Sequence, residues 1–193
     1  MFESDFTKLE SDKLIEYAQI VDEWTEPSYL EIGVFKGGSL LKVLENTEKL
    51  QCFGIDLFED FCENKDNTHV TGTISKEELR LALFDKWFAD RVSLYKGDSR
   101  SEIQEFGINR LNGLILIDGN HKFHAALTDF ILSYNVLKRG YILMHNASTH
   151  MYPDKDYVEC DGGPNRVLSV IQSFPGIEYI GMFDRLAVLS KIV

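Results

Sequence analysis

The feature that most narrows the fold is a rhythm: short, almost uniformly apolar runs alternate with amphipathic stretches along most of the chain. From the left these are SYLEIGVF, SLLKVLENTE, QCFGIDLF, KEELRLALFDKWFAD and RVSLYKGD, then EIQEFG, LNGLILIDG, FHAALTDFILSYNVLK, YILMHNA and NRVLSVIQSF. Strands that are apolar on both faces belong to a parallel sheet covered by helices on both sides. The rhythm therefore predicts a doubly wound α/β domain. An opening helix over Leu14 to Trp24 precedes the sheet, and Pro27 marks the break after it. The last two runs, IEYIGMF and LAVLSKI, are separated only by Asp184 and Arg185. A connection that short allows a hairpin but no parallel crossover, so the final strand is expected to run antiparallel. Two polar stretches rich in turn formers, Glu59 to Thr73 and Ser148 to Pro164, are expected as loops beyond strand carboxyl ends, where open α/β sheets bind ligands.

The 193 residues suffice for a single domain with its own core. Thirty-one acidic residues against twenty basic ones give a formal charge of -11, which opposes a nucleic-acid backbone or an anionic membrane surface as partner. The apolar runs fall far short of the ~20 residues a membrane helix needs. Cys52, Cys62 and Cys160 are an odd number without paired spacing, and the start MFESDFTKLESDK has no apolar leader run. A reduced, cytoplasmic protein is the resulting expectation.

In LEIGVFKGGSLLKVL, Gly33, Gly37 and Gly38 stand between a strand and a helix, with Ser39 at the helix start. Glycines there let the backbone turn sharply and approach a ligand at a helix N-terminus. The spacing is GxxxGG, neither the GxGxxG of dinucleotide sites nor the GK[ST] of a P-loop. About twenty residues further on, Asp56 ends the next strand, where a carboxylate can accept both hydroxyls of a ribose. Tight packing would explain the glycines alone, and a solvated strand end would explain Asp56 alone. Their joint placement points to a nucleoside.

LILIDGNHKFH places Asp118 at the end of the expected fourth strand and His121 in the loop after it, while YILMHNAS places His145 and Asn146 at the end of the fifth. If those strands are neighbours, Asp118, His145 and Asn146 offer oxygen and imidazole ligands to one cation. Read without a ligand, Asp118 caps the next helix and Asn146 holds a turn.

With these motifs the chain resembles the class I S-adenosylmethionine (SAM) dependent methyltransferases, specifically the small-molecule O-methyltransferase group with an IDG[DN]H motif, over approximately Ser28 to Ile192. That group includes metal-dependent sugar and macrolide enzymes and cephalosporin-hydroxylase-like relatives. The resemblance implies a Rossmann-like seven-stranded sheet in the order 3-2-1-4-5-7-6 with strand 7 antiparallel. It implies that Glu31, Gly33, Gly37, Gly38 and Ser39 lie beside the methionine part of SAM, that Asp56 holds the ribose, and that Asp98 and Ser99, after Gly97, border the adenine. Asp118 belongs by the same match to the cofactor site and to the catalytic centre, with His121 as general base. A divalent metal, magnesium or manganese, is implied at Asp118, His145 and Asn146. His145 departs from the pattern, which has a carboxylate there, so iron, zinc or no metal are also open. GGPNRVL (Gly162 to Leu168) resembles the start of the last helix in this group.

The expected activity is O-methylation of a hydroxyl on a small molecule, a sugar or natural product. A non-catalytic or divergent SAM-binding protein is the alternative within the fold. An NAD-dependent oxidoreductase is disfavoured because GxGxxG is missing and the chain ends in a hairpin. Relatives form homo-oligomers through N-terminal helices, and Phe2, Phe6 and Leu9 fit either that use or docking on the same domain.

Overall fold

The computed structural model describes residues 2–58, 74–107, 110–148 and 163–191. Its strands are β1 (Ser28–Ile32), β2 (Gln51–Asp56), β3 (Val92–Lys96), β4 (Leu111–Ile117), β5 (Leu137–Met144), β6 (Ile177–Phe183) and β7 (Leu186–Lys191). They form one sheet in the order 3-2-1-4-5-7-6. The first five are parallel to one another, while β7 runs antiparallel to both β5 and β6. Both expectations, the doubly wound sheet and the reversed last strand, are met.

Side chains on a strand alternate between faces, and β4 shows how both faces are filled. Leu114 and Leu116 join Tyr29 of β1 and Leu143 of β5 in one core, and Ile115 and Ile117 join Leu30, Ile32, Ile142 and Met144 in the other. The first core is covered by α1 (Lys8–Asp22), α2 (Gly38–Glu45) and α3 (Lys76–Phe84), the second by α5 (Phe123–Val136) and the last helix, α6 (Gly163–Ile171). A four-residue helix, α4 (Ser99–Glu102), follows β3. Helix α1 turns Leu14, Tyr17, Ala18 and Val21 inward, the i, i+3, i+4, i+7 stripe of a helix with one apolar face.

Three boundaries differ from the sequence expectation. Helix α1 starts earlier, at Lys8, because Thr7 caps it in a capping box with Glu10. Helix α3 stops at Phe84 rather than running on through KWFAD, and Trp87 there takes a positive φ of 66°. Helix α5 ends at Val136, and Leu137 and Lys138 already belong to β5. Phe2 and Phe6 pack against the core of their own domain, whereas Leu9 is 42% exposed. The loop expected over Glu59 to Thr73 lies outside the described residues, as do residues 149–162 of the second loop. Among the described residues, no helix is long and apolar enough to cross a membrane.

Strands β1 and β4 are neighbours although their chain connections run to opposite sides of the sheet, so a crevice opens at their carboxyl ends. Gly33 sits on its lip with φ 89°, and a Cβ there would lie 2.2 Å from the Asp118 carbonyl oxygen. Gly33→Ala is therefore expected to cost about 3 kcal/mol of stability, read as a lower urea midpoint with an unchanged m-value.

Candidate active site at the strand carboxyl ends

The sequence-predicted residues gather along one edge of the sheet. Gly33 follows β1, Asp56 ends β2, Asp98 and Ser99 follow β3, Asp118 and His121 follow β4, and His145 and Asn146 follow β5. Backbone bonds lock the edge together: Gly33 N–H donates to Ile55 O at 2.9 Å, Asp118 N–H to Ile32 O at 2.8 Å, and Gly97 N–H to Asp56 O at 3.0 Å.

On the glycine side, Asp56 is partly exposed, and each carboxylate oxygen accepts one backbone N–H, from Phe35 at 2.8 Å and Phe58 at 2.7 Å. A carboxylate oxygen has two acceptor sites, so both oxygens retain capacity for a further donor. Gly37, the α2 N-cap, takes φ 75°, and Gly38 N–H donates to Glu3 O at 3.1 Å. A Cβ on Gly38 would lie 2.3 Å from the Glu3 carbonyl. Close passage of the N-terminal segment is thus sufficient reason for that glycine. Glu31 is fully buried and accepts from the Tyr29 hydroxyl at 2.7 Å and from the Ser39 hydroxyl. It ties β1 to the first turn of α2. Asp98 caps α4 and holds Arg100 through both carboxylate oxygens at 2.7 and 2.6 Å, which lowers its pKa. Ser99 donates to Asp129 at 2.5 Å, and burial pushes that carboxyl up to about 6.

On the other side of the crevice lies a network that the sequence reading missed in part. Asp118 Oδ1 is 2.8 Å from His145 Nδ1 and 3.5 Å from His121 Nε2. The opposite ring nitrogen of His145, Nε2, is 3.4 Å from Glu10 Oε2, an ion-pair contact rather than a well-formed hydrogen bond. Glu10 Oε1 accepts from the Arg185 backbone N–H at 2.8 Å and from its Nε at 3.0 Å, while Oε2 accepts from Nη2 at 3.0 Å. Arg185 Nη1 reaches Asp5 Oδ2 at 3.1 Å and Asn146 Oδ1 at 3.3 Å, and Asn146 Nδ2 lies 3.3 Å from His121 Nε2. Phe6 stacks on the His145 ring with centroids 4.3 Å apart. Glu10, Arg185, Asp5 and Phe6 carried no motif. Glu10 reads as an ordinary capping-box acid, and Arg185 as one of two hairpin-turn residues.

These charges interact at short range. Burial opposes ionisation of Asp118, yet the adjacent His145 charge and hydrogen bonds from His121 and His145 hold its carboxyl well below the usual range. Burial likewise opposes ionisation of Glu10, but its contacts with His145 and Arg185 outweigh this and hold it at about 2. Burial alone would lower the His145 pKa, and the Asp118 charge and the two carboxylate contacts raise it to about 9. Asp5, Asp118 and His145 each place one possible ligand atom within 4.8 Å of the others. The fit to a divalent cation is nevertheless poor. Both His145 nitrogens face carboxylates, and the Asn146 oxygen already accepts from a guanidinium, whereas a metal requires a bare imidazole lone pair and open oxygens.

The sequence profile of the family described as Methyltransferase domain matches residues 30–147. The chain belongs to that family. The matched residues of this methyltransferase domain carry the glycine loop, Asp56, and the pair Asp118 and His121. No curated protein matches the chain in sequence. Solved structures similar to it include cofactor-bound Rv0187 from MTB, at 15% identity and TM-score 0.73, covering 96% of this chain and 81% of that one. An O-methyltransferase from Bacillus cereus in complex with SAH matches at 13% identity and TM-score 0.69, covering 98% of this chain and 83% of that one. The O-methyltransferase TomG from Streptomyces achromogenes, involved in tomaymycin synthesis and solved with SAM, matches at 12% identity and TM-score 0.69, covering 97% and 81%. At these identities the likeness is one of fold.

Glu31 generates a pH prediction. Burial raises its carboxyl from 4.5 to about 8, with the Asp118 and Asp56 charges adding to the shift and the Ser39 and Tyr29 hydrogen bonds opposing it. Between those two values the folded state keeps a proton that the unfolded chain has lost, so stability falls as pH rises. The urea midpoint should decline from pH 5 to pH 8, by on the order of a few kcal/mol in stability. In Glu31→Gln that decline should be visibly flatter.

Proposed function

We propose that the protein is a SAM-dependent O-methyltransferase acting on a hydroxyl of a small molecule, a sugar or natural product. The observation that carries this reading is the convergence, on one sheet edge of a methyltransferase domain, of the Gly33 turn, the Asp56 carboxylate and the Asp118–His121 pair. SAM, when bound, supplies an activated methyl group on a sulfonium. The spare acceptor capacity of Asp56 suits the two ribose hydroxyls. Glu31 and Ser39 fix the loop from behind, acting as positioning residues. Ser99 and Asp98 close the far end of the crevice.

At the centre, His121 is half-buried between Asp118 and Asn146. As general base it takes the acceptor hydroxyl proton on an imidazole nitrogen while the oxygen attacks, and the Asp118 carboxylate stabilises the cationic ring that results. Alignment and exclusion of water are the rest of what the protein must supply. The acidic surface favours neutral or cationic acceptors over nucleic acid. A cytoplasmic location fits cysteines that are few, odd in number and without paired spacing in the sequence.

Calorimetric titration with SAM, S-adenosylhomocysteine and NAD tests the reading. Both adenosyl ligands are expected to bind and NAD is not. Failure of both adenosyl ligands would sink the proposal. Asp56→Ala should weaken SAM binding by roughly 10–100-fold, the size of one or two lost hydrogen bonds to a charged group. In a methyl-transfer assay, His121→Ala should lower kcat by roughly 10²–10⁴-fold while SAM affinity is retained. Unchanged turnover would remove His121 from the mechanism.

A further inference from the structure

We propose that the guanidinium of Arg185 takes the place of a divalent cation at the carboxyl ends of β4 and β5, so that this domain binds no metal ion there. The oxygens a metal would draw on belong to Asp5, Asn146 and Asp118: a single nitrogen, Arg185 Nη1, stands 3.1 Å from Asp5 Oδ2 and 3.3 Å from Asn146 Oδ1, and Asp118 Oδ1 is engaged by His145 Nδ1 at 2.8 Å. The remaining candidate ligand, His145, has each ring nitrogen turned to a carboxylate, Asp118 on one side and Glu10 on the other.

Arg185 is not a surface side chain that can swing aside. It is almost fully buried, its Nε and Nη2 are held by Glu10, and Nη2 also donates to the Asp5 carbonyl oxygen at 2.6 Å. The backbone N–H of the same residue donates to Glu10 as well, so the hairpin turn is anchored together with the side chain. An arginine remains charged at every working pH. A second cation inserted among these groups would meet that fixed charge at contact distance, beside the buried Arg185, Glu10 and His145, where repulsion is less screened than in bulk water. Asp5 and Phe6 add to the closure: the N-terminal segment lies across the position, with Phe6 stacked on the His145 ring.

The test is made on the native protein without SAM, so its outcome is independent of the methyl-transfer reading. Histidine side-chain ¹H–¹⁵N NMR spectra of metal-stripped protein are recorded during titration with Mn²⁺, whose paramagnetism erases the signals of nearby nuclei. The His145 ring signals are expected to persist through stoichiometric Mn²⁺. Their selective loss at substoichiometric Mn²⁺ would overturn the proposal. Arg185→Met supplies the converse: if it folds, Mn²⁺ should enter beside Asp5, Asp118 and Asn146 and the His145 signals should vanish. A folded Arg185→Met that leaves those signals intact would show that the guanidinium is not what excludes the cation. If Arg185→Met does not fold, the wild-type titration decides alone.

Discussion

A buried carboxylate held between two cations organises this molecule. Glu10 has no exposed surface and is shared by Arg185 of the β6–β7 hairpin and His145 at the end of β5. Removing one partner from such a group leaves an uncompensated charge, at a typical cost of about 3–5 kcal/mol. The contact joins three distant parts of the chain: the start of α1, the final hairpin and the centre of the sheet edge. Through Asp5, Phe6 and Glu3 it also fixes where the N-terminal segment crosses the glycine loop.

That crossing changes what several residues mean. Gly38 reads naturally as a ligand-approach glycine, yet the Glu3 carbonyl fills the space where a Cβ would stand. Glu31, matched by resemblance to a cofactor contact, spends both carboxylate oxygens on Tyr29 and Ser39 and is buried beneath the loop. Asp56 is different in kind. It is partly exposed, sits at the switch in strand order, and keeps hydrogen-bonding capacity. The crevice therefore combines a partly exposed carboxylate that keeps hydrogen-bonding capacity with residues that hold the loop in shape, and sequence spacing alone does not separate the two.

The fold was largely legible because its signals are local. Apolar runs such as LNGLILI and YILM mark doubly covered strands, and the two-residue gap at Asp184 and Arg185 forces a hairpin. The errors lie at helix ends, where capping competes with propensity: the Thr7 and Glu10 box moved the start of α1, and the amphipathic pattern after Phe84 did not extend α3. The site was legible only where it sits at strand ends. Asp118, His121, His145 and Asn146 could be placed together as candidates because each follows a recognisable run. Glu10 and Arg185, which lie 175 residues apart, were invisible as partners because nothing in either local pattern refers to the other.

The sequence by itself determined the layer architecture, the reversed last strand and the row of polar residues at the strand carboxyl ends, since each follows from periodicity, connection length and turn chemistry. Tertiary structure decided which charges meet. Whether His145 is a bare ligand or a ring flanked by Asp118 and Glu10, and whether Asn146 offers its oxygen to a metal or to Arg185, depends on packing the two ends of the chain against the middle. Electrostatic character is set by distances across that packing and by the water it excludes, and a linear pattern encodes neither.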